Sequence, residues 1–143
     1  KASKHENIKT LALFVESYGT VGGTEYFLTF EDPERIAVIA FLRLRLPANN
    51  SANSLTTLLP EIKQCAFIRE LHTYGQQLNI GERDKNASQH KGLGKKLMAA
   101  AEKIAREHGF KKVAVISGVG VRGYYRKLGY RKRGTYMVKG LRG

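Results

Sequence analysis

The stretch Gln89-His90-Lys91-Gly92-Leu93-Gly94-Lys95-Lys96 has the residue types and spacing of a turn that grips an anion. Two glycines one residue apart leave the main chain bare, so peptide N–H groups become the binding surface. Leu93, Leu97, Met98, Ala101, Ile104 and Ala105 follow at helical spacing, which predicts a helix of about four turns that stops at Gly109. Glu102 with Arg106, and Lys103 with Glu107, are expected as exposed pairs on its outer face.

The first-turn amides of such a helix lack intrahelical acceptors and carry the positive end of its dipole, so a phosphate placed there accepts several hydrogen bonds together. Lys91, Lys95 and Lys96 add positive charge where a helix by itself prefers acids, which fits an anion arriving from outside. Nucleoside triphosphate hydrolysis is excluded, because a P-loop needs four residues between its glycines and then Lys-Ser/Thr for magnesium. A second pattern, Gly118-x-Gly120-x-x-Gly123, spells the dinucleotide-binding fingerprint. That reading requires an acid about twenty positions on for the ribose, and no acid follows Glu107, so the pattern is a decoy.

Other segments must position this turn. Ile8 to Val15 reads as a strand, followed by a loop through Gly19, Gly22 and Gly23. Tyr26 to Phe30 and Ile36 to Leu46 form a predicted hairpin across the turn residues Asp32-Pro33-Glu34-Arg35. In the second of these strands Ile36, Val38, Ala40, Leu42, Leu44 and Leu46 share a core face, while the other face passes from Ala37, Ile39 and Phe41 to Arg43 and Arg45. Pro47 to Thr57 is a polar loop, expected to be mobile.

Ile62 to Tyr74 reads as a central strand, apolar on both faces until Arg69, Glu70 and His72. Those three either mark the strand leaving the core or belong to a site. Gly75 to Ser88 is a loop that delivers the chain to the anion turn. Lys112 to Ile116 is a short buried strand, so strand, helix and strand form a parallel crossover unit. Val121 to Leu128 is a short helix closed by Gly129, and Tyr136 to Val138 is a last strand. The fold class expected is α/β with a mixed sheet.

At 143 residues and 16.0 kDa, residues 1–143 make one domain. With 42% hydrophobic and 26% charged residues and no long apolar run, the chain reads as a cytoplasmic protein with no membrane partner. Its first residue is Lys1, so a fragment of a longer polypeptide is expected. Cys65, the only cysteine, excludes an internal disulfide or a cysteine-rich metal site in this sequence and is expected in the core. The formal charge is +13, and past Glu107 the basic residues from Lys111 to Arg142 have no acid to offset them. Such a field favours a polyanion, most simply nucleic acid.

The order Gln89-x-x-Gly92-x-Gly94 at the head of an amphipathic helix resembles the diphosphate-binding motif of the GNAT superfamily of N-acetyltransferases. Tyr124-Tyr125-Arg126-Lys127-Leu128-Gly129-Tyr130 is similar to that superfamily's closing segment. Arg69-Glu70-Leu71-His72-x-Tyr74-Gly75, Ala114 to Gly120 and Tyr136-Met137-Val138-Lys139 narrow the resemblance to the C-terminal acetyltransferase domain of the Elongator catalytic subunit. Phe30-Glu31-Asp32-Pro33 and Leu42-Arg43-Leu44-Arg45 extend it upstream.

The resemblance implies a GNAT fold whose central parallel pair splays around acetyl-CoA, held by Glu70, Leu71, His72, Thr73, Gln89, His90, Lys91, Gly92, Leu93, Gly94, Lys95, Lys96 and Tyr125. It further implies action on the wobble uridine of tRNA. In full-length members a radical SAM domain, with an iron-sulfur cluster and S-adenosylmethionine, lies N-terminal, and with Cys65 alone this chain lacks that half. Other Elongator subunits are further candidate partners.

At the acyl end the sequence offers the phenols of Tyr124 and Tyr125, either of which could donate to a departing thiolate or position a carbonyl. Successive helical residues point about 100° apart, so the two have different jobs. Tyr125 is assigned to the thioester and Tyr124 to support or packing. Two other readings stand beside this one. In the first the chain acetylates a lysine or other amine with Glu70 or His72 as general base. In the second it is a binding module without turnover.

Overall fold

The computed structural model describes residues 11–32, 38–48, 65–73, 92–116 and 121–142. The sheet begins with β1 (Ala12–Thr20) and β2 (Gly23–Glu31), antiparallel partners in register from Ala12 opposite Glu31 to Thr20 opposite Gly23. Val21 and Gly22 are thus the whole turn, and Gly19 and Gly23 lie within strands. This corrects the expected strand at Ile8 to Val15 and the expected glycine loop. Pairing with β2, rather than apolarity, sets the extent of β1, which therefore runs on through Glu16, Ser17 and Tyr18.

β3 (Val38–Pro47) pairs antiparallel with β2, as the predicted hairpin requires, and β4 (Cys65–Thr73) pairs antiparallel with β3. Ala40, Leu42, Leu44 and Leu46 are buried, as the alternation predicts, but Val38 is exposed because a register shift at Phe30/Glu31 displaces the start of β3. The turn at 33–37, the polar loop from 49 onward and the loop before residue 92 lie outside the described residues.

Helix α1 (Leu93–Glu107) connects β4 to β5 (Lys112–Ile116), and these two strands are parallel. α1 ends as predicted. Gly109 takes φ 86, while the amides of Gly109 and Phe110 return to Arg106 O and Ala105 O at 3.0 Å each. Helix α2 (Arg122–Lys127), β6 (Arg131–Arg133) and β7 (Tyr136–Gly140) complete the described chain. The sheet order is β1-β2-β3-β4-β5-β7-β6, antiparallel except for the β4–β5 pair. Strand β6, three exposed basic residues, was not expected from sequence.

Leu97, Met98, Ala101 and Ala105 of α1 pack on Leu28, Leu42, Leu44, Ile68 and Val113 to form the main core. The opposite face of the sheet carries a smaller cluster of Cys65, Ala114, Tyr136 and Val138. Cys65 is 2% exposed, and burial pushes its thiol up to about 11 against the opposing pull of Lys112. A thiol reagent at neutral pH should therefore label Cys65 only as fast as the chain unfolds. Labelling of native protein at the rate of a free thiol would contradict this burial.

Candidate functional site

Gly92 caps α1 in the left-handed conformation, φ 80 and ψ 5, which a residue without Cβ adopts at least cost. No side chain caps the helix and its first turn holds no acid. Lys96 N–H makes the first return bond, to Gly92 O at 2.9 Å, so the amides of Leu93, Gly94 and Lys95 have no intrahelical acceptor. Lys95 and Lys96 are exposed beside them. Gln89, His90 and Lys91 lie outside the described residues.

Gly94 serves by its size rather than its conformation. A Cβ there would come within 2.7 Å of the Tyr124 hydroxyl and 3.9 Å of Leu71 Cδ2. Three elements thus meet at this glycine: the start of α1, the end of β4 and the start of α2. Gly94→Ala should displace the Tyr124 ring, read as a change in tyrosine fluorescence with little loss of stability. An unchanged ring environment would contradict the contact.

Strand β4 carries an irregularity at the same level. Arg43 pairs with Glu70, but Leu44 pairs with Ile68, leaving Arg69 as an extra residue. Arg69 reaches the buried carboxylate of Glu25 at 3.5 Å, beside Arg45 at 2.7 Å. Pairing of β4 with β5 runs from Cys65–Lys112 to Ile68–Val115 and stops there, although β4 continues to Thr73. Beyond Ile68, the edge of β4 that faced β5 has no described strand partner. The described pairing of the two parallel strands thus ends one residue before the end of β5, and Leu71, further along β4, lies beside the first turn of α1 at Gly94.

The predicted residues of β4 divide between the two faces. Leu71 packs against the main core on the α1 side. Glu70 faces the other way, 2.9 Å from Arg43 and 3.4 Å from His72 Nε2, and the His72 ring lies 5.0 Å from that of Phe41. Thr73 is exposed at the end of the strand. Sequence reasoning missed Arg43 as the partner of Glu70; the signal available was the emergence of arginines on that face of β3.

α2 closes by the same chemistry as α1. Gly129 has φ 98, and the amides of Gly129 and Tyr130 return to Arg126 O and Tyr125 O at 3.0 Å each. This cap accounts for the spacing Tyr125-x-x-Leu128-Gly129-Tyr130, because it folds Tyr130 back against Tyr125 with ring centroids 5.9 Å apart. Tyr124 and Tyr125 meet edge to face at 5.2 Å. Tyr124 is 41% exposed, and Tyr125 is 8% exposed. Burial raises both phenols above the usual tyrosine range, so both remain proton donors at neutral pH. Among the described residues, the Tyr125 hydroxyl has no hydrogen-bond partner.

Tyr130, by contrast, is committed. Its hydroxyl donates to Glu102 Oε2 at 2.7 Å, and Lys139 Nζ donates to Glu102 Oε1 at 3.1 Å. This corrects the expected exposed pair of Glu102 with Arg106: Glu102 is 8% exposed and joins α1 to Tyr130, just past α2, and to β7. Tyr130→Phe should cost about 1–3 kcal/mol in denaturant unfolding, because a buried carboxylate oxygen loses its donor. Burial, then the charge of Glu102, raises the Tyr130 phenol. Its contribution is full below the unfolded value of about 10 and is lost as pH rises beyond it, so alkaline unfolding should begin above about pH 10. A Tyr130→Phe variant that lost no stability would contradict the network.

The profile of the Acetyltransferase (GNAT) family matches residues 5–130. The chain belongs to the GNAT family.

This GNAT domain is 48% identical over 141 residues to Elongator complex protein 3 of Dictyostelium discoideum, covering 96% of the chain and 24% of that protein. The structure of Methanocaldococcus infernus Elp3 with an N-terminal deletion superposes with TM-score 0.69 at 42% identity, covering 92% of this chain and 30% of that one. A GNAT acetyltransferase from Brucella melitensis, solved in complex with acetyl-CoA, shares the fold at TM-score 0.52 and 15% identity, over 82% of this chain and 59% of that one. The GNAT domain spans about a quarter of the length of the curated relatives it matches. The seven-stranded mixed sheet with one parallel pair is the expected fold. Among the described residues, no helix is long and apolar enough to cross a membrane, and no group of three His, Cys, Asp or Glu is placed to hold a metal.

Proposed function

We propose that this GNAT domain binds acetyl-CoA and presents its acetyl group for modification of the wobble uridine of tRNA, within a longer cytoplasmic polypeptide that also carries a radical SAM domain. The observation that carries the coenzyme reading is the start of α1, where uncapped amides, lysines and an open left-handed glycine converge beside the outer half of β4. The diphosphate would lie on the amides of Leu93 to Lys96. The pantetheine arm, which carries amides of its own, would pair with the edge of Glu70 to Thr73, past the last described pair with β5. The thioester would then reach Tyr125, whose hydroxyl has no hydrogen-bond partner among the described residues, with Tyr124 in support against Gly94.

Support for an RNA acceptor comes from the charge of +13 and from the similarity to Elongator complex protein 3. A carboxymethyl-type group at carbon 5 of uridine is the product this reading assigns to the whole polypeptide, in which an iron-sulfur cluster and S-adenosylmethionine belong to the radical SAM domain. Other Elongator subunits are its proposed assembly partners.

Acetylation of an amine is less well supported. The carboxylate of Glu70 is already held by Arg43 and His72, so taking up a proton there would break an ion pair. Thioester cleavage measured with and without tRNA, alongside N-acetyl product from candidate amines, separates these readings. Free thiol released only with tRNA supports the proposal. Amine acetylation without tRNA would overturn it, and absence of turnover in every mixture would favour a passive module.

A further inference from the structure

The basic C-terminal third is not evenly solvated. Lys112, Arg131 and Arg133 line one cavity of about 220 Å³, with Gly129, Val138 and Gly140 as its remaining walls. Register explains the convergence. Lys112 stands opposite Gly140 across β5 and β7, while Arg131 and Arg133 stand opposite Val138 and Tyr136 across β6 and β7. Val138 and Tyr136 belong to the smaller core cluster, so all three cations project on the sheet face away from α1. Gly140 leaves the floor open, since a Cβ there would meet nothing within 4 Å.

Arginines elsewhere on the sheet are committed: Arg43 to Glu70, and Arg45 and Arg69 to Glu25. Lys112, Arg131 and Arg133 are exposed, and none of their side chains has a hydrogen bond or ion pair with another described residue. No carboxylate lines their cavity. Like charges around one concavity repel each other, and an anion seated among them removes that repulsion. Two guanidinium forks suit phosphate oxygens in particular.

One rim of the cavity approaches the end of β5. Arg133 is level with Tyr136, and Tyr136 is level with Ile116, the last residue of β5. Two strand spacings, roughly 10 Å, therefore separate Arg133 from the end of β5. A phosphate held at the cavity would leave a neighbouring nucleotide within reach of the thioester end.

We infer that Lys112, Arg131 and Arg133 form a phosphodiester-binding subsite for an RNA strand, separate from the coenzyme diphosphate and on the opposite face of the sheet. The inference rests on the RNA reading above and adds the place where the strand is gripped. Arg131 and Arg133 lie two residues apart on an edge strand, so they offer a line of charge to a polyanion rather than a single pocket to a free ion.

The test is tRNA binding by the 143-residue chain as a function of salt, for wild type, Arg131→Ala/Arg133→Ala and Lys103→Ala, a control on the exposed side of α1. The double variant should bind tRNA on the order of 10-fold more weakly, and the slope of log affinity against log salt should shrink by roughly 2. Acetyl-CoA affinity should be unchanged, which also reports that the variant is folded. An unchanged slope in the double variant, or an equal loss in Lys103→Ala, overturns the subsite while leaving the RNA reading intact. Failure of wild type to bind tRNA even at low salt overturns both. Polyglutamate competing as well as tRNA would assign the cavity to acidic protein and overturn the phosphodiester.

Discussion

Replacing Gly92 with glutamate is expected to weaken acetyl-CoA binding by at least about 100-fold, equivalent to roughly 2.7 kcal/mol. Two effects combine at this position and can be separated. The residue has φ 80, so any side chain brings strain of about 1 kcal/mol, but that strain is present with and without ligand and lowers stability rather than affinity. The affinity loss comes from charge. A carboxylate about 4 Å from one phosphate charge is worth about 1–4 kcal/mol across the dielectric range from water to protein surface, and a diphosphate carries more than one charge. Among the described residues nothing lies within 4 Å of the added Cβ, so the new side chain has room beside the amides proposed to hold the ligand. Gly92→Ala should reproduce the stability loss with a much smaller affinity loss. Calorimetric titration measures both, and a Gly92→Glu variant with unchanged affinity would place the diphosphate elsewhere.

Tyr125→Phe is expected to reduce thioester turnover by about 100-fold or more, the usual range for loss of a positioned proton donor. Its ring packs between those of Tyr124 and Tyr130, and phenylalanine preserves that packing, so stability should change little. Tyr124→Phe should have the smaller effect, because its hydroxyl is proposed to support the junction at Gly94. A pH profile adds an independent sign. Burial raises both phenols, so the protonated form persists above the ordinary tyrosine value and the donor step should stay flat from neutrality to about pH 10. The reverse ranking of the two variants would exchange their roles. Full activity in both would remove tyrosine from the mechanism.

Which parts of this architecture were legible in the amino-acid order follows from the range of the interactions involved. α1, its stop at Gly109, the β4–α1–β5 crossover, and the bounds of β5 rest on local periodicity and capping, and all were readable. β6 was not, because Arg131-Lys132-Arg133 has no apolar alternation and becomes a strand only by pairing with β7. Glu102 was misplaced for a related reason. Its partners Tyr130 and Lys139 lie 28 and 37 positions away, and helical periodicity cannot weigh a buried hydrogen bond of that range.

The candidate site divides in the same way. The glycines at the start of α1 announce themselves by spacing, and the two tyrosines by their place in a capping motif. Where the parallel pair parts is a property of pairing. Its described register stops at Ile68, Arg69 is an extra residue against β3, and nothing in the residue types between Ile68 and Thr73 shows either. The contact of Gly94 with Tyr124 joins residues thirty positions apart in sequence, and only the fold reveals that one glycine is needed for its conformation and the other for its size.

Amide chemical shifts of residues 92–96, followed by nuclear magnetic resonance during titration with acetyl-CoA and with acetyl-pantetheine, test the central claim most directly. With the whole coenzyme, the amides of Leu93 to Lys96 should move downfield together as they acquire phosphate acceptors, and with acetyl-pantetheine, which lacks the diphosphate, they should stay near their free positions. Saturating acetyl-CoA that left those amides unmoved while others shifted would contradict the account.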